Sequence, residues 1–374
     1  MEFRKCLTAA ASACGLLMMA TDASAGGFVW SGYYLNQSTG GAIELYSYYD
    51  NTSVAYSLAA GPACNGYTWQ TAPIMVVFGG SLGTGYEYGG FTDIADRLNR
   101  KACTRVVYVR QINAQGYFLA TGTADPRNPA YKANNAAGNI AWAMDRVLTY
   151  FYPSAKRVTY VGGSASAGLG AKLLEMKFGE LVTPTTSTVP WSRVKRFIFA
   201  GPPIGNLATA CRYTSATSTF YGVPAGFTGN ANCTEYLNFL AQNGVSDTSG
   251  NLYGFASEST KTTARNAGLR INMFVGTEDE LFGWPAAGTA TGPQGVENFM
   301  AVSNLWPNLT GIPSTAATAA AHVDAGITYG TMSATHSNVW SRPSVVKAVC
   351  YLAAKETSSM NPAAQSQYLA RCDE

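Results

Sequence analysis

Residues 157–174 read Arg157-Val158-Thr159-Tyr160-Val161-Gly162-Gly163-Ser164-Ala165-Ser166-Ala167-Gly168-Leu169-Gly170-Ala171-Lys172-Leu173-Leu174. The pattern is an apolar strand, a turn of small residues and a helix. A serine hydroxyl on so sharp a turn stands clear of both elements, and its small neighbours leave room for a substrate. Such a serine would act as a nucleophile, but only if a histidine takes its proton and a carboxylate steadies the histidine. Two serines, Ser164 and Ser166, compete for that place. The chain holds two histidines, His322 and His336, so the base is one of them. A carboxylate is at hand in Val275-Gly276-Thr277-Glu278-Asp279-Glu280-Leu281, where Asp279 has Glu278 and Glu280 as neighbours. A second small-residue segment, Phe78-Gly79-Gly80-Ser81-Leu82-Gly83-Thr84-Gly85-Tyr86, allows a ligand to approach the backbone closely. A phosphate cradle would need the G-x-x-x-x-G-K-[ST] spacing, which is absent.

The strand, turn and helix around Ser164 resemble the nucleophile elbow of the α/β-hydrolases, G-x-S-x-G, and the resemblance extends in order and motif from Ile74 to Ala354. An elbow follows its strand almost at once. Val161 lies three residues before Ser164 but five before Ser166, which favours Ser164. Ser166 stands where the family has its second glycine and remains the alternative. In that family the acid and then the histidine follow the serine. The resemblance therefore implies Asp279, on a G-x-x-D loop after a strand, as the acid. It implies His336, just before the closing helix, as the base, with His322 as the alternative. It also implies an oxyanion hole from the N–H of Ala165 and those of Gly80 and Ser81. The chemistry so implied is hydrolysis of an ester or related acyl bond through an acyl-enzyme, with no metal and no cofactor. The layout is also similar to extracellular polyester depolymerases and to oxidised polyvinyl alcohol hydrolases, which cleave a β-diketone carbon–carbon bond with the same triad. The altered elbow leaves open a non-catalytic exported binding protein on the same fold.

These residues need elements to hold them. Ile74 to Phe78, Arg105 to Val109, Arg157 to Val161, Phe197 to Phe199 and Ile271 to Val275 are short apolar runs, as strands covered on both faces are. Helical spacing runs from Thr92 to Lys101, from Ala136 to Tyr150 and from Pro343 to Ala354. Alternating strands and helices predict an α/β class, with a mainly parallel central sheet flanked by helices. The Tyr-, Ser- and Thr-rich stretch from Phe28 to Ala60 suits an antiparallel pair of strands. Residues 207–268 are too polar and too long for a simple connection, and they predict a lid. A second insertion is expected over 284–331. Tyr86, Tyr88, Phe282 and Trp284 follow the oxyanion and acid loops. They would line a substrate cleft, or pack beneath the lid.

Arg4 and Lys5, an apolar stretch from Cys6 to Ala20 and then Ala23-Ser24-Ala25 have the form of an export signal over residues 1–25. The expectation is a single domain over 26–374, secreted or periplasmic, with no stable insertion in a membrane. Cysteines 64, 103, 211, 233, 350 and 372 are an even set suited to an oxidising compartment. Proximity pairs 64 with 103, 211 with 233 (which would staple the lid) and 350 with 372. The net charge of +3 is small and the basic residues are dispersed, so nothing suggests a nucleic-acid surface and no nucleic-acid partner is expected. The partner expected is a small-molecule or polymer substrate, and the oligomeric state is not legible.

Overall fold

The computed structural model describes residues 27–35, 42–49, 64, 71–79, 91–112, 133–151, 157–184, 190–201, 258–278, 307–358 and 365–374. Among the described residues, nine strands form one sheet: β1 (Gly27–Leu35), β2 (Ala42–Tyr49), β3 (Ile74–Phe78), β4 (Arg105–Ile112), β5 (Val158–Gly163), β6 (Val194–Ala200), β7 (Arg270–Gly276), β8 (Leu309–Thr310) and β9 (Ile327–Met332). Their order is β1-β2-β4-β3-β5-β6-β7-β9-β8. β2 runs antiparallel to β1 and β4, and every other pairing is parallel. From β3 the chain steps to β4 on one side and then through β5, β6, β7 and β9 on the other, as right-handed crossovers on the two faces produce. This is the α/β class the sequence predicts, a mainly parallel central sheet flanked by helices.

Every residue of β3, β5 and β6 is buried, because helices cover both faces of the sheet. On one face α2 (Ala133–Arg146) and α3 (Ala165–Met176) bring Ile140, Met144 and Leu173 against Val76, Tyr160 and Phe197. On the other, α1 (Thr92–Ala102) and α7 (Pro343–Ser358) bring Leu98, Val349 and Leu352 against Val77, Val106 and Ile198. The remaining helices are α4 (Phe178–Val182), α5 (Glu258–Asn266), α6 (Ala316–Asp324) and α8 (Gln365–Arg371). Among the described residues, no helix is long and apolar enough to cross a membrane.

Two disulfides fasten the second face. Cys103, in the left-handed conformation that caps α1, is bonded to Cys64, and Cys350 of α7 is bonded to Cys372 after α8. Both are pairs that proximity predicts. The 211–233 pair, residues 207–257 of the expected lid and the export signal lie outside the described residues, whereas 258–268 carry α5, which packs Ala264 into the core beside β7.

The sequence reading differs from the structure at the second insertion. The later part of 284–331 belongs to the body of the domain, since it carries β8, α6 and most of β9, and β9 pairs with β7 from Ile327↔Ile271 to Met332↔Gly276. The expected helix to Tyr150 also changes character, ending as α2 at Arg146 and continuing as a π-type turn, Val147–Phe151.

Candidate active site

The parallel strands all deliver their C-terminal ends to one edge of the sheet. The register pairs Gly163 with Ala200, Ala200 with Phe274, and Gly276 with Met332. The loops that carry the candidate residues therefore leave one edge side by side, the usual place for a site in such a sheet.

At this edge β5 ends at Gly163, Ser164 has φ of +51°, and α3 begins at Ala165. A left-handed backbone at a serine costs about 1–2 kcal/mol, so the surroundings must impose it. They do so through the Ser164 N–H, which donates to Ala200 O at 2.9 Å, and through Ala167 N–H, which donates to Ser164 O at 2.9 Å. The turn is tight enough that a Cβ on Gly162 would lie 2.6 Å from Ser166 O. Ser164 is partly exposed. Ser166 is fully buried, and its hydroxyl finds no hydrogen-bond partner among the described residues. Of the two competing serines, the strained and accessible one is Ser164.

Ala165 is the first residue of α3, where main-chain N–H groups have no acceptor inside the helix and the helix dipole favours negative charge. It is therefore suited to hold an oxyanion. Its expected partners Gly80 and Ser81 lie outside the described residues.

Two strands away, the chain leaving β7 is bound to the chain leaving β9. Thr277 N–H donates to Met332 O at 2.8 Å and Glu278 N–H to Ala334 O at 3.0 Å. Gly276 lies so close that a Cβ there would sit 2.0 Å from Ala334 O. The Ser333 hydroxyl donates to the Glu278 carboxylate, which commits that exposed neighbour to the loop. Asp279, the next residue in sequence, lies outside the described residues, as do Glu280, Tyr86, Tyr88, Phe282 and Trp284.

His336 opens a short 3-10 turn, His336–Asn338, that is capped reciprocally. Thr335 N–H donates to Asn338 Oδ1 at 2.8 Å, and Asn338 N–H donates to Thr335 O at 3.3 Å. The turn is further fixed by Trp340, whose ring lies 4.9 Å from that of Phe91 at the start of α1. His336 is partly exposed. His322 belongs to α6 and is 8% exposed, and burial lowers its imidazole pKa below the ordinary histidine value. The structure thus sets His336 on the loop edge, bound through Ala334 to the loop that leads into Asp279, and sets His322 within a packed helix.

Sequence reasoning missed Tyr160, a fully buried side chain of β5 whose hydroxyl donates to Ser166 O at 2.7 Å, beneath the elbow. Its one outward sign is a phenol in the middle of a short, fully buried strand.

No family model and no curated protein matches this sequence. Among solved structures, the chain is similar to Est1E from Butyrivibrio proteoclasticus at 10% identity, covering 89% of this chain and 99% of that one with a TM-score of 0.46. It is similar to an esterase of Pyrococcus furiosus at 10% identity, covering 92% and 90% with a TM-score of 0.41. It is also similar to the thioesterase domain from the curacin biosynthetic pathway at 11% identity, covering 88% and 99% with a TM-score of 0.40. These likenesses concern the course of the main chain.

Proposed function

We propose that this chain is a secreted serine hydrolase that cleaves a carboxylic ester, or a related acyl bond, through an acyl-enzyme. The observation that carries the reading is a serine held at φ of +51° between a fully buried parallel strand and the N-terminus of a helix. Backbone strain of this kind clusters at active sites. A hydroxyl so placed stands at the end of the sheet where a substrate can reach it.

In this mechanism Ser164 Oγ attacks the substrate carbonyl carbon while His336 takes its proton, and Asp279 orients the imidazole and steadies its positive charge. The carbonyl oxygen becomes an oxyanion and accepts hydrogen bonds from the main-chain N–H groups of Ala165, Gly80 and Ser81. Collapse breaks the bond to the alcohol, which leaves with the proton from His336. A water then gives its proton to His336 and attacks the acyl-serine, and the carboxylic acid departs as Ser164 regains its proton. The bound loops at Thr277–Met332 and Glu278–Ala334 support this reading, because they tie the acid's strand to the base's loop.

For the substrate we propose an apolar ester, with an extracellular polymer as the natural form. The sequence support is the aromatic set Tyr86, Tyr88, Phe282 and Trp284 beside the proposed loops, together with the export signal over 1–25. The buried disulfides fit an oxidising compartment. The deciding experiment measures hydrolysis of p-nitrophenyl acetate, a polyester film and a β-diketone by the parent chain and by Ser164→Ala. Ester and film turnover lost in the variant supports the proposal. Turnover of the diketone alone selects carbon–carbon hydrolysis. No turnover of any substrate by the parent points to a binding protein on this fold.

A further inference from the structure

Tyr160 bears both on the first turn of α3, which carries the Ala165 N–H, and on the last residue of β3. Its hydroxyl donates to Ser166 O at 2.7 Å, in the first turn of α3 and one residue beyond Ala165. Its ring stacks on Phe78, with centroids 5.2 Å apart and planes 23° from parallel. Phe78 is the last residue of β3, two before Gly80 in the sequence. One rigid side chain therefore bears on the segment that supplies the Ala165 N–H and on the strand that leads into Gly80 and Ser81.

The ring has little freedom. It packs against Phe197 at 5.3 Å and Phe199 at 6.3 Å. From above, α3 closes on it so tightly that a Cβ at Gly170 would sit 2.4 Å from Tyr160 Cε1. Tyr160 has two rotatable side-chain bonds, and both are locked by these contacts. Burial raises its pKa well above the ordinary phenol value, so the hydroxyl stays protonated and remains a donor at any working pH.

We infer that Tyr160 is a positioning residue for the oxyanion hole, fixing the distance between the first turn of the nucleophile helix and the strand that feeds the second donor loop. The inference rests on the hydrolase reading above. Donors aimed at a developing oxyanion act in the transition state far more than in the bound substrate. Loosening them slows the chemical step and leaves substrate binding nearly intact.

The test is Tyr160→Phe, which keeps the ring and removes only the hydroxyl. Rates are expressed per active site, titrated with a serine-directed phosphonate, so that the folded fraction does not enter. The expected result is a kcat reduced roughly tenfold, the loss that one misaligned hydrogen bond brings, with KM for p-nitrophenyl acetate nearly unchanged. Affinity for an alkyl boronic acid, which mimics the tetrahedral state, should fall by the same factor as kcat/KM. A purely structural tyrosine would lower thermal stability and leave both kcat per site and boronate affinity at parent values, and that result overturns the inference. Where Tyr160→Phe yields no folded protein, Phe78→Leu removes the stacking partner instead, and the same two outcomes apply. Ser164→Ala separates the two layers of argument. Full turnover in that variant sinks the assignment of Ser164 as nucleophile on which the inference rests, whereas loss there with an unaffected Tyr160→Phe sinks only the role of Tyr160.

Discussion

The turn at Ser164 is tightest beneath Gly162, so Gly162→Ala perturbs it most directly. The added Cβ would lie 2.6 Å from Ser166 O, 2.8 Å from Ala167 N and 2.8 Å from Ser166 C. Non-bonded contacts to carbon are comfortable only from about 3.5 Å, so these atoms must retreat by more than half an ångström. All belong to the first turn of α3, which is already held by Ser164 N to Ala200 O and by Tyr160 Oη to Ser166 O. No side chain can swing away to relieve the clash. The cost should therefore fall at the upper end of the overpacking range, ~3 kcal/mol. For 374 residues, at an unfolding entropy of about 2.1 cal/mol/K per residue, that lowers Tm by about 4 °C. Ser164 shifts with the turn, and a displacement approaching 1 Å costs roughly a hundredfold in rate. The assay is ester turnover alongside thermal unfolding. Gly179→Ala serves as the control, because a Cβ on that α4 glycine meets nothing within 4 Å. Should Gly162→Ala keep parental kcat/KM and Tm, the steric argument for the elbow is refuted.

Ser166→Ala removes a fully buried hydroxyl with no partner among the described residues. It should retain activity and gain up to about 1–3 kcal/mol in stability, and lost turnover with intact folding would move the nucleophile to Ser166. Ser164→Gly should be inactive yet no less stable in urea, because glycine adopts the left-handed backbone freely; a large destabilisation would show that the turn is not strained. The buried His322 resists protonation in the folded state, while in the unfolded chain it takes up a proton near its ordinary value of about 6.5. Stability should therefore hold above that pH and decline as the pH falls below it. The urea midpoint of His322→Gln should decline less over the same interval, and an unchanged slope would contradict the burial argument.

The central strands were legible because strands covered on both faces of a parallel sheet are written as continuous apolar runs. Legibility failed where polar residues sit inside strands. β6 begins at Val194 rather than Phe197, since the buried Arg196 finds partners in Glu356 at 2.9 Å, Asn272 Oδ1 at 2.6 Å and Val323 O at 2.8 Å. These partners lie 76 to 160 residues away, beyond the reach of any local pattern. β9 falls within the expected second insertion because Thr328, Gly330 and Thr331 interrupt its apolar residues Ile327, Tyr329 and Met332, so no continuous apolar run marks it. In the sheet, Thr328 accepts from Asn272 Nδ2 at 2.6 Å, and Gly330 makes room for Ile312, whose Cγ1 would lie 2.5 Å from a Cβ there. At the site, the turn around Ser164 was visible from its small residues and the strand before it. The bonds joining Glu278 to Ala334 and Tyr160 to Ser166 were not, since each depends on how separate elements pack.

The most direct measurement is covalent labelling. The protein is treated with a fluorophosphonate, digested, and its adducts are located by mass spectrometry, in parallel with His336→Ala. The account predicts one stoichiometric adduct on Ser164, none on Ser166, and labelling slowed by orders of magnitude in the histidine variant. An adduct on another residue, or none on a folded parent protein, would contradict it.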